Sequence, residues 1–306
     1  MRLRNFTTMS GIRKASTAAS KTSDITSKTF CIIGNPIEHS LSPLMQNAAF
    51  SHVNLNYSYI AFRVPADELE EAVESMRKIG IAGFNVTIPH KVEIAKLLDE
   101  LSDEANLAGS VNTVSNENGL LVGYNTDIDG IMEPLEKRIY DFEGLEVMIL
   151  GAGGSCRAAL VGLARKKSIG SISIFNRNQK RLNSVIVLGK ELGLNCIPFN
   201  LEDTVHLYEI SKNSSLIINT TSIGLGGEKS PLKSDYLSKE TTVFDIVYKP
   251  INTDLIENAK MAGARIIFGY EMLLSQGYKA FEIWTGLKAP KDIMKKALFG
   301  IFGEPE

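Results

Sequence analysis

The stretch Val147-Met148-Ile149-Leu150-Gly151-Ala152-Gly153-Gly154-Ser155-Cys156-Arg157 decides the fold. Four consecutive apolar residues read as a strand buried on both faces, because a half-exposed strand would alternate apolar and polar positions. Gly151-x-Gly153 follows at once, and the spacing from about Arg157 to Lys166 is helical. A glycine turn between a strand and a helix lets backbone N–H groups approach a pyrophosphate at the helix N-terminus, where the helix dipole favours negative charge. Taken alone the motif also fits a tight turn without a ligand, and Cys156 stands where the strict fingerprint has its third glycine.

Toward the C-terminus, further apolar strands are expected at Ile172 to Phe175, Leu216 to Asn219, Val243 to Ile246 and Arg265 to Phe268. That is the rhythm of a doubly wound, Rossmann-type nucleotide-binding domain. After Gly269 the pattern is helical to the end, with amphipathic stretches at Leu273 to Trp284 and Lys291 to Ile301. Toward the N-terminus, Phe30 to Ile33 reads as a buried strand ended by Gly34-Asn35-Pro36, and Tyr57 to Val64 and Gly83 to Ile88 as two more. Asp67 to Lys78 reads as a helix burying Leu69, Val73 and Met76. Pro89 is expected to open another helix, with Ile94, Leu98 and Leu101 as its buried stripe. Alternation of this kind implies an α/β protein with mostly parallel sheets.

A chain of 306 residues exceeds what one hydrophobic core usually serves, so two domains are expected: residues 30–130, and a nucleotide-binding unit over 131–274. Residues 1–29 are rich in Ser, Thr and basic residues, with Asp24 as the single acid. They read as a disordered tail, and an organellar transit peptide fits the same composition. A net charge of −2 gives no pull toward nucleic acid or anionic lipid, and no apolar run is long enough to span a bilayer. Cys31, Cys156 and Cys196 are too few and too scattered for a disulfide framework or a zinc site, which points to a cytoplasmic protein with reduced thiols. A small-molecule partner remains.

The nucleotide is read at the end of the next strand. An NAD enzyme places an Asp or Glu there for the ribose 2′-hydroxyl. This chain instead has Asn176-Arg177-Asn178-Gln179-Lys180-Arg181, with no acid and three cations where a 2′-phosphate would sit. NADP is therefore favoured over NAD. The missing carboxylate also counts against an S-adenosylmethionine methyltransferase, while an exposed basic helix start is the reading without a ligand.

Three polar segments occupy strand ends in the N-terminal half: Ser40-Leu41-Ser42-Pro43, Asn85 through Lys91, and Asn112-Thr113 with Asn125-Thr126-Asp127. Ligands of α/β proteins bind at such ends. Hydride transfer to a ketone creates an alkoxide that needs a proton, so a positioned acid is required. Lys91 is the candidate. An ordinary lysine, with a pKa of about 10.4, is a poor base at neutral pH, so the role calls for partial burial and a neighbouring carboxylate, for which Asp127 is available. Composition alone would make Lys91 one more exposed lysine. His39, His52, His90 and His206 show no metal-ligand spacing, and no metal is expected.

These segments, with Gly109 through Thr113, Asn219-Thr220-Thr221-Ser222-Ile223-Gly224, Asp245-Ile246-Val247-Tyr248 and Gly269 through Gly277, resemble the shikimate dehydrogenase family in the family's own order. The resemblance implies NADPH-dependent, reversible reduction of 3-dehydroshikimate to shikimate on the route to aromatic amino acids. It implies that Ser40 and Ser42 hold the substrate carboxylate, that Thr87, Lys91, Asn112, Asp127 and Gln276 contact ring hydroxyls with Tyr248 nearby, and that Lys91 and Asp127 are the catalytic pair. Gly151, Ala152, Gly153, Gly154 and Ser155, with Asn176, Arg177 and Arg181, would bind NADP. Ile246 and Gly269 would lie near the nicotinamide. Helices over 275–306 would return to complete the substrate-binding domain, in a monomer or homodimer. Two positions depart from the pattern: Gln46 replaces a common His, and Asn178 a common Thr. An NAD-preferring quinate/shikimate dehydrogenase and a non-catalytic sensor on the same fold are the competing readings.

Overall fold

A computed structural model describes residues 27–166 and 168–303. The tail and transit-peptide expectations fall outside these residues, except that Lys28 and Thr29 already belong to the first strand.

Among the described residues the strands form two six-stranded sheets. The first contains β1 (Lys28–Gly34), β2 (Tyr57–Arg63), β3 (Gly83–Val86), β4 (Glu100–Leu101), β5 (Thr113–Glu117) and β6 (Leu120–Tyr124), in the order β2-β1-β3-β5-β6-β4. Within it β1 is parallel to β2 and β3, and β4 to β6, whereas β5 is antiparallel to β3 and β6. Helices α1 (Ser42–His52), α2 (Leu69–Lys78) and α3 (Asp103–Ala108) connect these strands, and α4 (Asp127–Glu136) leads onward.

All strands of the second sheet are parallel: β7 (Val147–Leu150), β8 (Ser171–Asn176), β9 (Asn195–Asn200), β10 (Leu216–Asn219), β11 (Thr242–Asp245) and β12 (Arg265–Ile267). Helices α5 (Gly154–Ala164), α6 (Gln179–Glu191), α7 (Thr204–Asn213) and α8 (Asp254–Met261) alternate with them, and α9 (Gly269–Thr285) and α10 (Lys291–Phe302) follow. Its order, β12-β11-β10-β7-β8-β9, means that the chain winds outward from β7 and then restarts on the other side at β10. Strand order reverses between β7 and β10, and that crevice is where doubly wound folds bind ligands.

The unbroken apolar strands are explained by helices on both faces of each sheet. Along β7, Val147 and Ile149 enter one core while Met148 and Leu150 enter the opposite one. Along β1, Phe30 and Ile32 face α1, α9 and α10, and Cys31 and Ile33 face α2. Burying one such Leu, Ile or Phe contributes about 1.5–3 kcal/mol, which outweighs the weak local preferences of a four-residue strand.

One local expectation is corrected, and two further elements carried none. No helix follows Pro89: residues 89–93 turn, Ile94–Lys96 is a single 3₁₀ turn, and Glu100–Leu101 is an edge strand. The backbone is engaged elsewhere, since the Lys91 carbonyl accepts from Val111 N–H at 2.7 Å rather than from a residue one helical turn on. The hairpin of β5 and β6 was not anticipated, although Asn118-Gly119 is a strong two-residue turn signal and both residues adopt positive φ, 57° and 97°. Strand β9 was not expected either; it contains Pro198, which an edge strand tolerates, and it pairs only with β8. No helix among the described residues is long and apolar enough to cross a membrane.

Candidate active site

The carboxyl ends of β1, β3 and β6 meet those of β7, β10 and β11 around a cavity of about 500 Å³. From the first sheet it receives Ser40 and Ser42 after β1, Asn85, Thr87 and Lys91 on and after β3, Asn112 before β5, and Asp127 after β6. From the second sheet's side come Ser155, Thr221, Ile246 and Tyr248, and α9 adds Gly269 and Gln276. Every residue that the sequence assigned to substrate or to proton transfer therefore lines one cavity.

Lys91 Nζ donates to Asp127 Oδ2 at 2.5 Å and to Ser155 Oγ at 3.2 Å. Side-chain exposure is 15% for Lys91 and 3% for Asp127, so this is an ion pair largely removed from water. Further hydrogen-bond partners are needed to offset the desolvation of such a pair. Asn112 Nδ2 supplies one, donating to Asp127 Oδ1 at 2.8 Å, and the first turn of α4 presents its dipole to the carboxylate. The Asn112 amide cannot flip, because its Oδ1 accepts from Thr126 N–H at 2.7 Å. Behind it, Asn85 donates to Thr113 Oγ1 at 2.9 Å and to the Asn112 carbonyl at 3.1 Å, and accepts from the buried Tyr59 hydroxyl at 2.6 Å. Tyr59 carries no sequence signal beyond being an aromatic in a strand, and its role in this network was not foreseen.

At the second sheet, Gly151 has φ of 104°, a conformation that favours glycine, and a Cβ there would lie 2.7 Å from Thr220 Oγ1. Beside Gly153, where α5 begins, the space a Cβ would take is open. The first N–H groups of a helix have no intrahelical acceptor, so an open N-terminus of this kind suits a pyrophosphate. Cys156 is fully buried in the core behind it, and burial pushes its thiol up to about 12, which makes it a packing residue. After β8, Arg177, Lys180 and Arg181 are exposed and in no ion pair among the described residues. Asn178 caps α6, accepting from Arg181 N–H at 3.0 Å, and Asn176 Nδ2 donates to the Asn178 carbonyl at 2.9 Å. These cations and Gly151 to Gly154 do not line the cavity itself.

Two further residues are settled by their contacts. His90 is 1% exposed with a ring nitrogen 2.8 Å from the Val64 carbonyl, a structural position. Gln46 is fully buried and donates to the Gly277 carbonyl at 3.0 Å, tying α1 to α9.

A parallel, doubly wound sheet whose glycine turn opens beside a buried lysine–aspartate pair defines an oxidoreductase built on a dinucleotide-binding fold. Residues 32–114 match the shikimate dehydrogenase substrate binding domain, and residues 269–299 the shikimate 5′-dehydrogenase C-terminal domain. A shikimate dehydrogenase (NADP(+)) of Nitrosopumilus maritimus is 49% identical over 275 residues, 90% of this chain and 99% of that protein. The chain belongs to the shikimate dehydrogenase family. Among solved structures, shikimate 5-dehydrogenase from Listeria monocytogenes, in complex with shikimate and NAD, is 38% identical with a TM-score of 0.77, covering 89% of this chain and 96% of that one. The Thermus thermophilus enzyme, in complex with NADP(H) and shikimate, is 33% identical with a TM-score of 0.76, covering 88% and 98%.

Proposed function

We propose that this chain is an NADP-dependent shikimate dehydrogenase, reducing 3-dehydroshikimate to shikimate reversibly. The observation that carries the reading is the Lys91–Asp127 pair, 2.5 Å apart and facing a cavity that the glycine-turn helix also reaches through Ser155. Residues 30–130 with 275–306 take the substrate, and residues 131–274 take the nucleotide.

NADPH, when bound, supplies the hydride, and the carbonyl oxygen then needs a proton. Lys91 gives that proton, and in the oxidative direction takes it back from the hydroxyl. Asp127 aims the ammonium, and is itself held by Asn112. The Ser40 and Ser42 hydroxyls donate to the substrate carboxylate, with Tyr248 in the same lining. Thr87, Asn112 and Gln276 take the ring hydroxyls, a task suited to fixed amides and hydroxyls because a missing partner would leave them unpaired in a closed site. Gly151 to Ser155 seat the pyrophosphate on α5, Ile246 and Gly269 border the nicotinamide, and Asn176, Arg177 and Arg181 hold the 2′-phosphate.

Steady-state oxidation of shikimate and of quinate, each with NADP⁺ and with NAD⁺, tests the reading. Shikimate with NADP⁺ is expected to give the highest kcat/KM of the four pairings. A preference for quinate, or for NAD⁺, would replace it with the quinate/shikimate alternative, and absence of turnover in all four would point to a sensor.

A further inference from the structure

An ammonium group has three hydrogens, and two of those on Lys91 are committed to fixed acceptors. One goes to Asp127 Oδ2 at 2.5 Å, from the first turn of α4; the other goes to Ser155 Oγ at 3.2 Å, from the first turn of α5. With the stem seated, rotation about the Cε–Nζ bond decides where the third hydrogen points. One hydrogen bond sets that rotation only loosely, because such bonds tolerate bends of about 30°, and a second acceptor narrows it.

The second anchor is built rather than incidental. Ser155 is 8% exposed, borders the cavity, and its side chain has no other hydrogen-bond partner among the described residues. The lysine stem is seated on the same turn: a Cβ on Gly154 would lie 2.8 Å from Lys91 Cβ and 3.1 Å from its Cδ. Ser110 Oγ reaches the Gly154 carbonyl at 3.5 Å from the first sheet's side.

We infer that Ser155 is a positioning residue: its hydroxyl fixes the rotation of the Lys91 ammonium, so that the third N–H points at the oxygen to be protonated. The inference rests on the proposed function, in which Lys91 is the acid. It gives the glycine turn a second task, since the helix start that seats the pyrophosphate also aligns the proton donor.

Ser155→Ala and Ser155→Thr in the full chain test this, by steady-state shikimate oxidation with NADP⁺ and by thermal unfolding. The alanine variant keeps the backbone N–H that Ser155 offers the pyrophosphate, so it is expected to lose about five- to tenfold in kcat, the worth of one ordinary hydrogen bond, with both KM values and Tm essentially unchanged. Threonine, which keeps the hydroxyl, is expected to restore most of the loss. Unchanged kcat in the alanine variant, a loss confined to the KM for NADP⁺, or threonine behaving like alanine each overturns the inference. A wild-type chain inactive with shikimate and NADP⁺ overturns the functional reading and the inference with it, whereas an active wild type with an equally active Ser155→Ala overturns the inference alone.

Discussion

Gly154 and Lys91 belong to different sheets' connections yet touch: a methyl group added at Gly154 would sit 2.8 Å from the Lys91 Cβ, closer than carbon atoms approach without contact strain. The stem of the lysine, near its own backbone, cannot swing aside as its tip could. Local propensity and site geometry therefore oppose each other at this position.

Gly154→Ala should favour α5 by up to about 1 kcal/mol, since alanine is the better helix former. Turnover is nevertheless expected to fall by about tenfold or more, because displacing Lys91 by even a fraction of an ångström misaligns the acid. Thermal unfolding and kcat on one preparation check the pair of outcomes; full activity would show that the lysine relaxes freely.

Lys91→Ala is expected to lower turnover by about 10²–10⁴ with a modest change in the KM for shikimate, as for loss of a group that acts in the transition state. It also strands Asp127, 3% exposed in its side chain, as a buried charge without its counterion, so stability should drop by about 3–5 kcal/mol. Denaturant melts alongside the kinetics separate the two effects.

Arg177→Ala should raise the KM for NADPH by about tenfold or more while leaving that for NADH nearly unchanged, because a charge-assisted bond to the 2′-phosphate contributes about 1.5–3 kcal/mol. Equal losses with both nucleotides would remove Arg177 from phosphate recognition.

Asp245, fully buried at the end of β11, accepts from Thr253 Oγ1 at 2.5 Å, Asn219 Nδ2 at 2.9 Å and Val247 N–H at 3.1 Å. Burial outweighs these donors and pushes its carboxyl up from 3.8 to about 6. Below the lower value both folded and unfolded chains carry the proton; between the two, only the folded chain does. The stabilisation is thus complete below about pH 4 and is lost as pH rises through about 6, a change of about 3 kcal/mol. Urea melts across this window should show that slope in the wild type and not in Asp245→Asn.

Much of this protein was legible in its sequence. The run Val147–Leu150 and the glycine turn announced the second sheet because a strand buried on both faces must be apolar throughout, and a tight turn toward a helix must use glycine. Arg177, Lys180 and Arg181 are legible as an exposed cation cluster after β8, the basis of the proposed 2′-phosphate site. The segment after Pro89 was misread because Ile94, Leu98 and Leu101 have helical spacing, and spacing cannot show that the Lys91 carbonyl is taken by Val111. Asn118-Gly119 held a readable hairpin signal that the strand-helix rhythm masked.

By itself, then, the sequence determined the α/β class, the doubly wound half, the acid-free basic segment after β8 on which the NADP reading rests, and the residue types available for proton transfer, since each depends on local pattern or on the chemistry of one side chain. Tertiary structure alone decided that Lys91, expected beside Asp127, also meets Ser155 64 positions away, that Asn112 is locked toward the carboxylate, and that Tyr59 lies behind Asn85. Those contacts join strand ends from two sheets. Their distances follow from sheet order and register, which arise from the packing of the whole chain and are encoded in no single segment.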